Sequence, residues 1–352
     1  MDEGQELNIL VTGGLGFIGS HTVIELCETK AYKRIIIVDN LSNTTEKVLD
    51  RIQEIITYKD TEIIFEKLDC LNLEDLEHNI FEKYAIHEII HFAGFKAVGE
   101  SVEEPLMYYE NNLMSSVNLL KLVKKYEGVC KSFLFSSSAT VYNDLECVEE
   151  SPTGPISPYG RTKFMVEQIL KDYSYTDHEL FSVSLRYFNP IGAHPSGKIG
   201  EAPQMANNLM PVIQEVACGK REKLKVFGND YDTADGTGMR DYIHVVDLAQ
   251  AHVEALKYMR ANHSEIQGQK YDVFNIGTGK PTSVFQLVQA FEEQTDVKIP
   301  YEIVDRREGD SPIFYAVTDK AKRLLKWESK YTINDACKHS WNWIKDNPNG
   351  VE

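Results

Sequence analysis

Cysteine is scarce in this chain: six in 352 residues, at positions 27, 70, 130, 147, 218 and 337, with no C-x-x-C pair. Such scatter argues against a disulfide framework or a zinc site and suits reduced thiols in a cytoplasmic protein. Positive charge is also in deficit. Lys and Arg number 37 against 54 Asp and Glu, a net charge of −17, which argues against nucleic acid as the main partner. An anionic ligand would need local arginines working against the overall field. No apolar run approaches the roughly 18 residues that cross a bilayer, so no membrane partner is expected. The first six residues, Met1-Asp2-Glu3-Gly4-Gln5-Glu6, are acidic and polar, unlike a secretory signal. Internal repeats and low-complexity segments are lacking too. What is there, 42% hydrophobic and 26% charged residues over the length of one large or two ordinary domains, describes a soluble globular protein.

The first motif lies near the start. Leu7 to Val11 reads as a buried strand, followed by a glycine-rich turn and a helix to Cys27. Gly13, Gly16 and Gly19 form G-x-x-G-x-x-G, a spacing variant of the dinucleotide fingerprint. It permits a tight turn, close approach of backbone to a pyrophosphate and close packing of helix on strand, and the helix N-terminus receives the phosphates. A second strand, Arg34 to Val38, ends in Asp39. An acid about 20 residues past the last glycine binds the adenosine ribose hydroxyls and repels a 2′-phosphate, so NAD is favoured over NADP.

Strands and helices then alternate. Glu62–Leu68, Glu88–Phe92, Ser132–Phe135 and Phe181–Tyr187 read as strands; Glu46–Tyr58, Leu73–Lys83 and Pro105–Tyr126 read as helices. Repeated units with apolar strands predict an α/β fold with a Rossmann-type doubly wound parallel sheet. Its ligands would bind beyond the carboxyl ends of the strands. Asp39, Asp69, Ala93, Ser138 and Asn189 fall at such ends. Ahead of the Phe181 strand stands Ser157-Pro158-Tyr159-Gly160-Arg161-Thr162-Lys163. Ser157 suits an N-cap and Pro158 the first helical position. Val166, Ile169, Leu170 and Tyr173 mark one helical face, and projected backwards that face runs through Tyr159 and Lys163. A phenol with a pKa of about 10 is a poor base at neutral pH; a cation held nearby brings it towards working range.

From about Pro190 loops lengthen and Pro, Gly and Asn become frequent. The expected division is a dinucleotide-binding domain over 1–189 and a smaller C-terminal α/β substrate domain over 190–352. Segments within about 240–277, including a helix Val245–Met259 and a strand Val273–Ile276, are expected to return to the first sheet. Asn207–Cys218, Ser283–Gln294, Thr318–Trp327 and Ile333–Trp343 read as helices and Leu224–Phe227 as a strand. Arg240 and Arg307 stand in two apparent loops, Gly238–Tyr242 and Arg306–Asp310, where guanidinium forks suit a diphosphate.

Several stretches carry a resemblance: Val11–Thr22, His91–Ser101, Phe135–Tyr142, Ser157–Lys163, Leu185–Ser196, Phe227–Tyr231, Gly238–Val245 and Arg306–Asp310. Together, from Leu7 to Trp343, the chain resembles the UDP-glucose 4-epimerase family, also called UDP-galactose 4-epimerase, of the extended short-chain dehydrogenase/reductase superfamily. The resemblance implies interconversion of UDP-galactose and UDP-glucose with tightly held NAD, in a homodimer. Tyr159 would take the sugar 4-hydroxyl proton while hydride leaves C4; the 4-keto sugar would turn and accept the hydride on its other face. Ser138 would bind the 4-oxygen and mediate proton movement. Lys163 would bind the nicotinamide ribose and depress the Tyr159 pKa. Gly13, Gly16, Phe17, Ile18, Gly19, Asp39, Asn40, Asn43, Asp69, Cys70, Phe92, Ala93, Lys96, Asn111 and Phe188 match cofactor positions, with Tyr159 and Lys163. Asn189, Asn208, Leu209, Arg240, Arg307 and Asp310 match substrate positions, with Lys96, Ser138 and Tyr159; Phe227, with Lys225 and Val226, matches the uracil site. No metal ligand is implied.

Three departures matter. Phe17 replaces a more usual Tyr. Asn143 replaces a Gly, a change that unusual backbone angles at Asn would tolerate. Phe314 sits at the family's gate position; its bulk, close to that of Tyr, implies exclusion of N-acetylhexosamines. A 4,6-dehydratase on the same scaffold would need an acid–base pair beside the serine, and Ser138-Ala139-Thr140 offers no carboxylate. A non-catalytic NAD- or nucleotide-sugar-binding protein is the other alternative, set against it the intact Ser138, Tyr159 and Lys163.

Overall fold

A computed structural model describes residues 7–351 except 144, 145, 177, 178, 204, 266, 267 and 308. The acidic stretch Met1–Glu6 and Glu308, within the second arginine stretch, lie outside the described residues. In chain order the first elements are β1 (Leu7–Thr12), α1 (Phe17–Glu28), β2 (Tyr32–Asp39), α2 (Lys47–Ile55), β3 (Glu62–Lys67), α3 (Leu73–Leu76), β4 (Glu88–His91), α4 (Val98–Glu103), α5 (Pro105–Lys125), β5 (Ser132–Ser138), β6 (Glu146–Cys147), α6 (Pro158–Tyr173) and β7 (Phe181–Tyr187). Then follow β8 (Asn189–Ile191), α7 (Leu209–Ala217), β9 (Leu224–Phe227), β10 (Met239–His244), α8 (Val245–Asn262), β11 (Tyr271–Ile276), β12 (Pro281–Ser283), α9 (Val284–Thr295), β13 (Tyr301–Val304), β14 (Ile313–Ala316) and α10 (Ile333–Ile344).

Seven strands form one parallel sheet in the order β3-β2-β1-β4-β5-β7-β11. Alternate residues face opposite ways. Ile9, Val11, Ile35 and Ile37 pack with α1 and α8 on one side; Leu10, Ile36 and Val38 pack with α5 and α6 on the other. Both faces are covered, which is why these strands read as continuous apolar runs. The winding reverses between β1 and β4, and this opens a crevice at the carboxyl ends. β11 pairs with β7 at the sheet edge, in register from Tyr271–Ser182 to Ile276–Tyr187, and α8 packs against α1.

The remaining strands are short. β12, β10, β14 and β6 run side by side, with β8 also on β10, and β13 pairs with β9 alone. Their own core includes Met210, Ile213, Leu224, Val226, Leu287, Phe291 and Cys337. Two expectations need correction. Arg240 is not in a loop: it lies on β10, between partners on β12 and β14. No apolar alternation marks β10 because the buried Asp241 beside Arg240 is satisfied by the Thr278 amide and hydroxyl and the Gly279 and Ala316 amides. The helices expected over Leu73–Lys83 and Thr318–Trp327 contain π-helical turns, Glu77–Phe81 and Ala321–Leu325. Helix α4 had no sequence signal.

Candidate active site

The turn after β1 is pressed against the turn after β4. Gly13 has φ +69°, and a Cβ there would stand 2.8 Å from the Ala93 backbone nitrogen. Gly16 occupies the N-cap position of α1 with Phe17, Ile18 and Gly19 in its first turn, and no side chain caps that end. Its amides and dipole therefore suit an anion. Asp39 closes β2. One of its oxygens accepts from the Leu15 amide at 3.1 Å and the other from the Leu41 amide at 3.0 Å. Burial raises the Asp39 pKa and these two bonds lower it. A carboxylate has about four lone pairs, so acceptor capacity is left for ribose hydroxyls. The backbone cradle and this carboxylate fit NAD.

Around the cradle, Asn40 donates to Asp69 at 3.0 Å, and Asp69 accepts from the Leu71 amide at 2.8 Å. Cys70 is buried, which pushes its thiol up to about 12, out of reactive range. Asn43 is exposed on the loop after β2. Phe92 packs on His252, ring centroids 4.8 Å apart. Asn111 donates to Asn112 at 3.0 Å. Asn112 lacked a sequence signal, yet it accepts from the Phe95 amide at 2.8 Å and donates to the Phe95 carbonyl and the Thr162 hydroxyl. It thereby ties the turn carrying Ala93 and Lys96 to both α5 and α6.

Ser138 ends β5. Its hydroxyl accepts from the Thr140 amide at 3.2 Å and the Thr140 hydroxyl at 3.0 Å, so its own proton is available to donate. Helix α6 starts as the sequence suggests: Ser157 Oγ accepts the Gly160 amide at 3.1 Å, and Pro158 is the first helical residue. A Cβ on Gly160 would stand 2.6 Å from the Thr140 carbonyl. Glycine thus lets the helix start abut the turn after Ser138, with Tyr159 beside it.

Lys163 lies one turn on, 5% exposed, donating to the Ser136 carbonyl at 2.7 Å. Its Nζ is 5.9 Å from the Tyr159 ring centroid. Burial brings Lys163 down to about 8. At that distance Lys163 is not among the groups that set the Tyr159 pKa in this structure. Burial raises the Tyr159 pKa, and the offsetting groups are the Ser138 hydroxyl, by hydrogen bond, and the Lys96 charge. Lys163 directs its ammonium at a backbone carbonyl instead. Lys96 is held at 2.8 Å by Glu201, whose carboxylate is buried and carried no sequence signal. Glu201 is the largest influence raising the Lys96 pKa.

A second group of side chains begins where β7 ends. Ser138 is paired in register with Tyr187; the next residue, Phe188, is buried with its ring 5.2 Å from that of Phe314. Phe314, on β14, is opposite Arg240 on β10, and Asn189 starts β8 opposite Tyr242. Arg240 pairs with Asp310 and donates to the Ser311 carbonyl at 3.0 Å. Arg307 stacks on Phe227, 3.8 Å from the ring centroid, whereas Arg306 is engaged with Asp230 and Tyr231. Asn208 sits at the N-cap position of α7 without using its side chain as the cap, and Leu209 is the first helical residue. Lys225 is exposed, and Val226 is 1% exposed in the C-terminal core. The Val226 side chain therefore faces that core, and its backbone alone could meet a ligand. Asn143 has no left-handed backbone, so the position does not require the missing glycine.

A phenol, a donating hydroxyl and two ammonium groups beside a dinucleotide cradle are the working parts of hydride-transfer chemistry on alcohols, and the fold places the chain in the extended short-chain dehydrogenase/reductase class. The family model described as GDP-mannose 4,6 dehydratase, which represents the wider superfamily, matches residues 10–340. UDP-glucose 4-epimerase from Bacillus subtilis (strain 168) is 49% identical over 98% of this chain and 98% of its own length. UDP-glucose 4-epimerase GEPI48 from Cyamopsis tetragonoloba is 48% identical over 97% and 96%. The crystal structure of UDP-glucose 4-epimerase from Bifidobacterium longum in complex with NAD+ and UDP matches with a TM-score of 0.88 and 44% identity, covering 97% of this chain and 99% of that one. The chain belongs to the UDP-glucose 4-epimerase family.

Proposed function

We propose that the protein interconverts UDP-galactose and UDP-glucose by inverting C4, with NAD held in the glycine cradle throughout. The observation that carries this reading is the Ser138 hydroxyl placed to lower the Tyr159 pKa, with the Lys96 charge acting on the same phenol. Bound NAD supplies the hydride acceptor and donor for C4. Tyr159 takes the 4-hydroxyl proton and later returns it. Ser138 relays the proton by exchanging the Thr140 hydroxyl for the sugar 4-hydroxyl as its donor while it passes its own proton to the phenolate. Lys163, anchored on Ser136, orients the nicotinamide ribose and Asp39 the adenosine ribose. Arg240, Arg307 and Asn208 grip the diphosphate and Phe227 the uracil. Phe188 and Phe314 bound the hexose with apolar surface, which lets the keto ring turn.

The same reading divides the chain at residue 189/190 into cofactor and substrate parts, with about 240–277 belonging to the first. Absence of a carboxylate beside Ser138 favours epimerisation over 4,6-dehydration. The bulk of Phe314 supports exclusion of UDP-N-acetylglucosamine. A homodimer is supported by exposed apolar residues on adjoining helices, Leu106 and Met114 on α5 and Met165 on α6. None of the six cysteines is in a disulfide, which favours the cytoplasm, and no helix among the described residues is long and apolar enough to cross a membrane.

Purified protein given UDP-galactose without added NAD should form UDP-glucose. No turnover even with NAD supplied would refute the reading, as would a 4-keto-6-deoxy product. Robust turnover of UDP-N-acetylglucosamine would refute the role of Phe314.

A further inference from the structure

Tyr159, Lys163 and Glu167 are four residues apart and share one face of α6. All three meet the last three residues of strand β5, Ser136 to Ser138. The Ser138 hydroxyl acts on the Tyr159 phenol, Lys163 donates to the Ser136 carbonyl, and the Ser137 hydroxyl donates to Glu167. Glu167 is fully buried and receives two bonds from Arg186 on β7, from Nε at 3.0 Å and Nη2 at 2.7 Å. Arg186 continues the network: its Nη1 donates to the Tyr142 hydroxyl at 2.8 Å and the Glu149 carbonyl at 3.1 Å. Tyr142 donates to Asn275 at 2.7 Å, and Asn275 donates to the Cys147 carbonyl at 2.8 Å. Cys147 is paired with Ala316, two residues past Phe314 on β14.

A buried ion pair of this kind is a poor source of stability. Its desolvation cost rivals its attraction, and an apolar pair of similar volume often serves as well. Its placement fits another task. It pins α6 against β5 and β7 directly below the proton-transfer pair, where a shift of about 1 Å costs on the order of a hundredfold in rate. We infer that Glu167 and Arg186 are positioning residues that fix the register of α6 on β5 and so hold Tyr159 against Ser138. They do not touch the substrate. This rests on the reading of Tyr159 and Ser138 given above.

The test is the double variant Glu167→Met/Arg186→Met, assayed for melting temperature, retained NAD, kcat and KM for UDP-galactose. The expected result is a folded protein that keeps NAD, with KM within about threefold of wild type and kcat down between about tenfold and a hundredfold. A folded double variant with wild-type kcat overturns the inference. Should that variant not fold, Ser137→Ala decides, because it removes one hydrogen bond and leaves the ion pair whole. A fall of about threefold or more in kcat at unchanged KM supports the inference, and an unchanged kcat overturns it. Tyr159→Phe separates the two failures. If it turns over like wild type, the site reading itself is wrong; if it is inactive while the double variant is fully active, only the positioning role falls.

Discussion

In the seven-stranded sheet and the helix α6 packed on it, Ser138, Lys163 and Asp39 are each less than a tenth exposed, and each is hydrogen-bonded to backbone. Around the short C-terminal strands the counterparts are open. Arg307, Asp310 and Asn208 are exposed, and the two arginines rest on other members of the same group, Arg240 on Asp310 and Arg307 on Phe227. The contrast follows the chemistry. Proton and hydride transfer tolerate only small errors in geometry, so the reacting groups belong on strand ends and a helix locked into a packed core. Gripping a diphosphate tolerates more, and arginine forks resting on Asp310 and Phe227 can exchange those partners for phosphate oxygens. A hexose that must turn between two hydride transfers needs a firm hold on the nucleotide and a loose one on the sugar. On the proposed assignment of the site, the two halves would supply these different qualities.

Variants should separate the halves in kinetics. The largest effect is expected in the buried half. Ser138→Ala or Lys163→Met should lower kcat by about 10²- to 10⁴-fold with KM little changed, measured by steady-state assay of UDP-galactose. A rise in KM at normal kcat would erase the distinction. Next come the outer arginines. Arg240→Ala or Arg307→Ala should raise KM by about ten- to a hundredfold, since a hydrogen bond to a charged group contributes about 1.5–3 kcal/mol, and kcat should hold. Equal loss of kcat would show that the outer half shares in the chemistry.

Acid should attack the molecule through buried histidines, several of them where the halves meet. Burial brings His21, His91 and His244 down to about 3, and His194 and His252 down to about 4. His244, at the start of α8, is bonded at 3.0 Å to His339 of α10, and His21 of α1 lies 6.3 Å from His194, centroid to centroid. These folded-state values lie below the unfolded value of about 6.5. Below that pH the unfolded chain binds protons that the folded one refuses. The stabilising contribution is thus complete above about 6.5 and is lost as pH falls towards 4, by up to about 1.4 kcal/mol per pH unit for each histidine. Urea midpoints at pH 7.5 and pH 5 check this, and equal midpoints would contradict it. The smallest effect concerns Phe314, whose ring packs on Phe188. Phe314→Tyr preserves that bulk and should change kcat/KM for UDP-galactose by less than about threefold; a larger change would mean that the gate acts through its polarity.

The buried half was legible because long apolar strands and capped helices are local signals. Gly13, Asp39, Ser138 and the Ser157–Pro158 helix start each sit beside an unmistakable strand or cap. Of the short C-terminal strands only β9, Leu224–Phe227, was legible; the others form only when partners remote in sequence arrive. β10 carries Arg240 and a buried Asp241 whose bonds come from Thr278, Gly279 and Ala316, and no window around residue 240 contains that information. The surroundings of Tyr159 were only partly legible for a similar reason. Spacing along α6 places Lys163 one turn away, but it does not show that the ammonium turns to Ser136 while Lys96 acts on the phenol from another loop. Glu167 was within reach of the sequence: an acid four residues after Lys163 on an otherwise apolar helix face must find a buried partner.

The most direct test of the account is the activity of Tyr159→Phe, which removes one oxygen and leaves the packing of α6 intact. The account predicts a folded protein that retains NAD and binds UDP-galactose with near-normal affinity, but converts it at least about 10²-fold more slowly. Turnover within about threefold of wild type would show that another group takes the proton, and the assignment of Tyr159 as the base would fall.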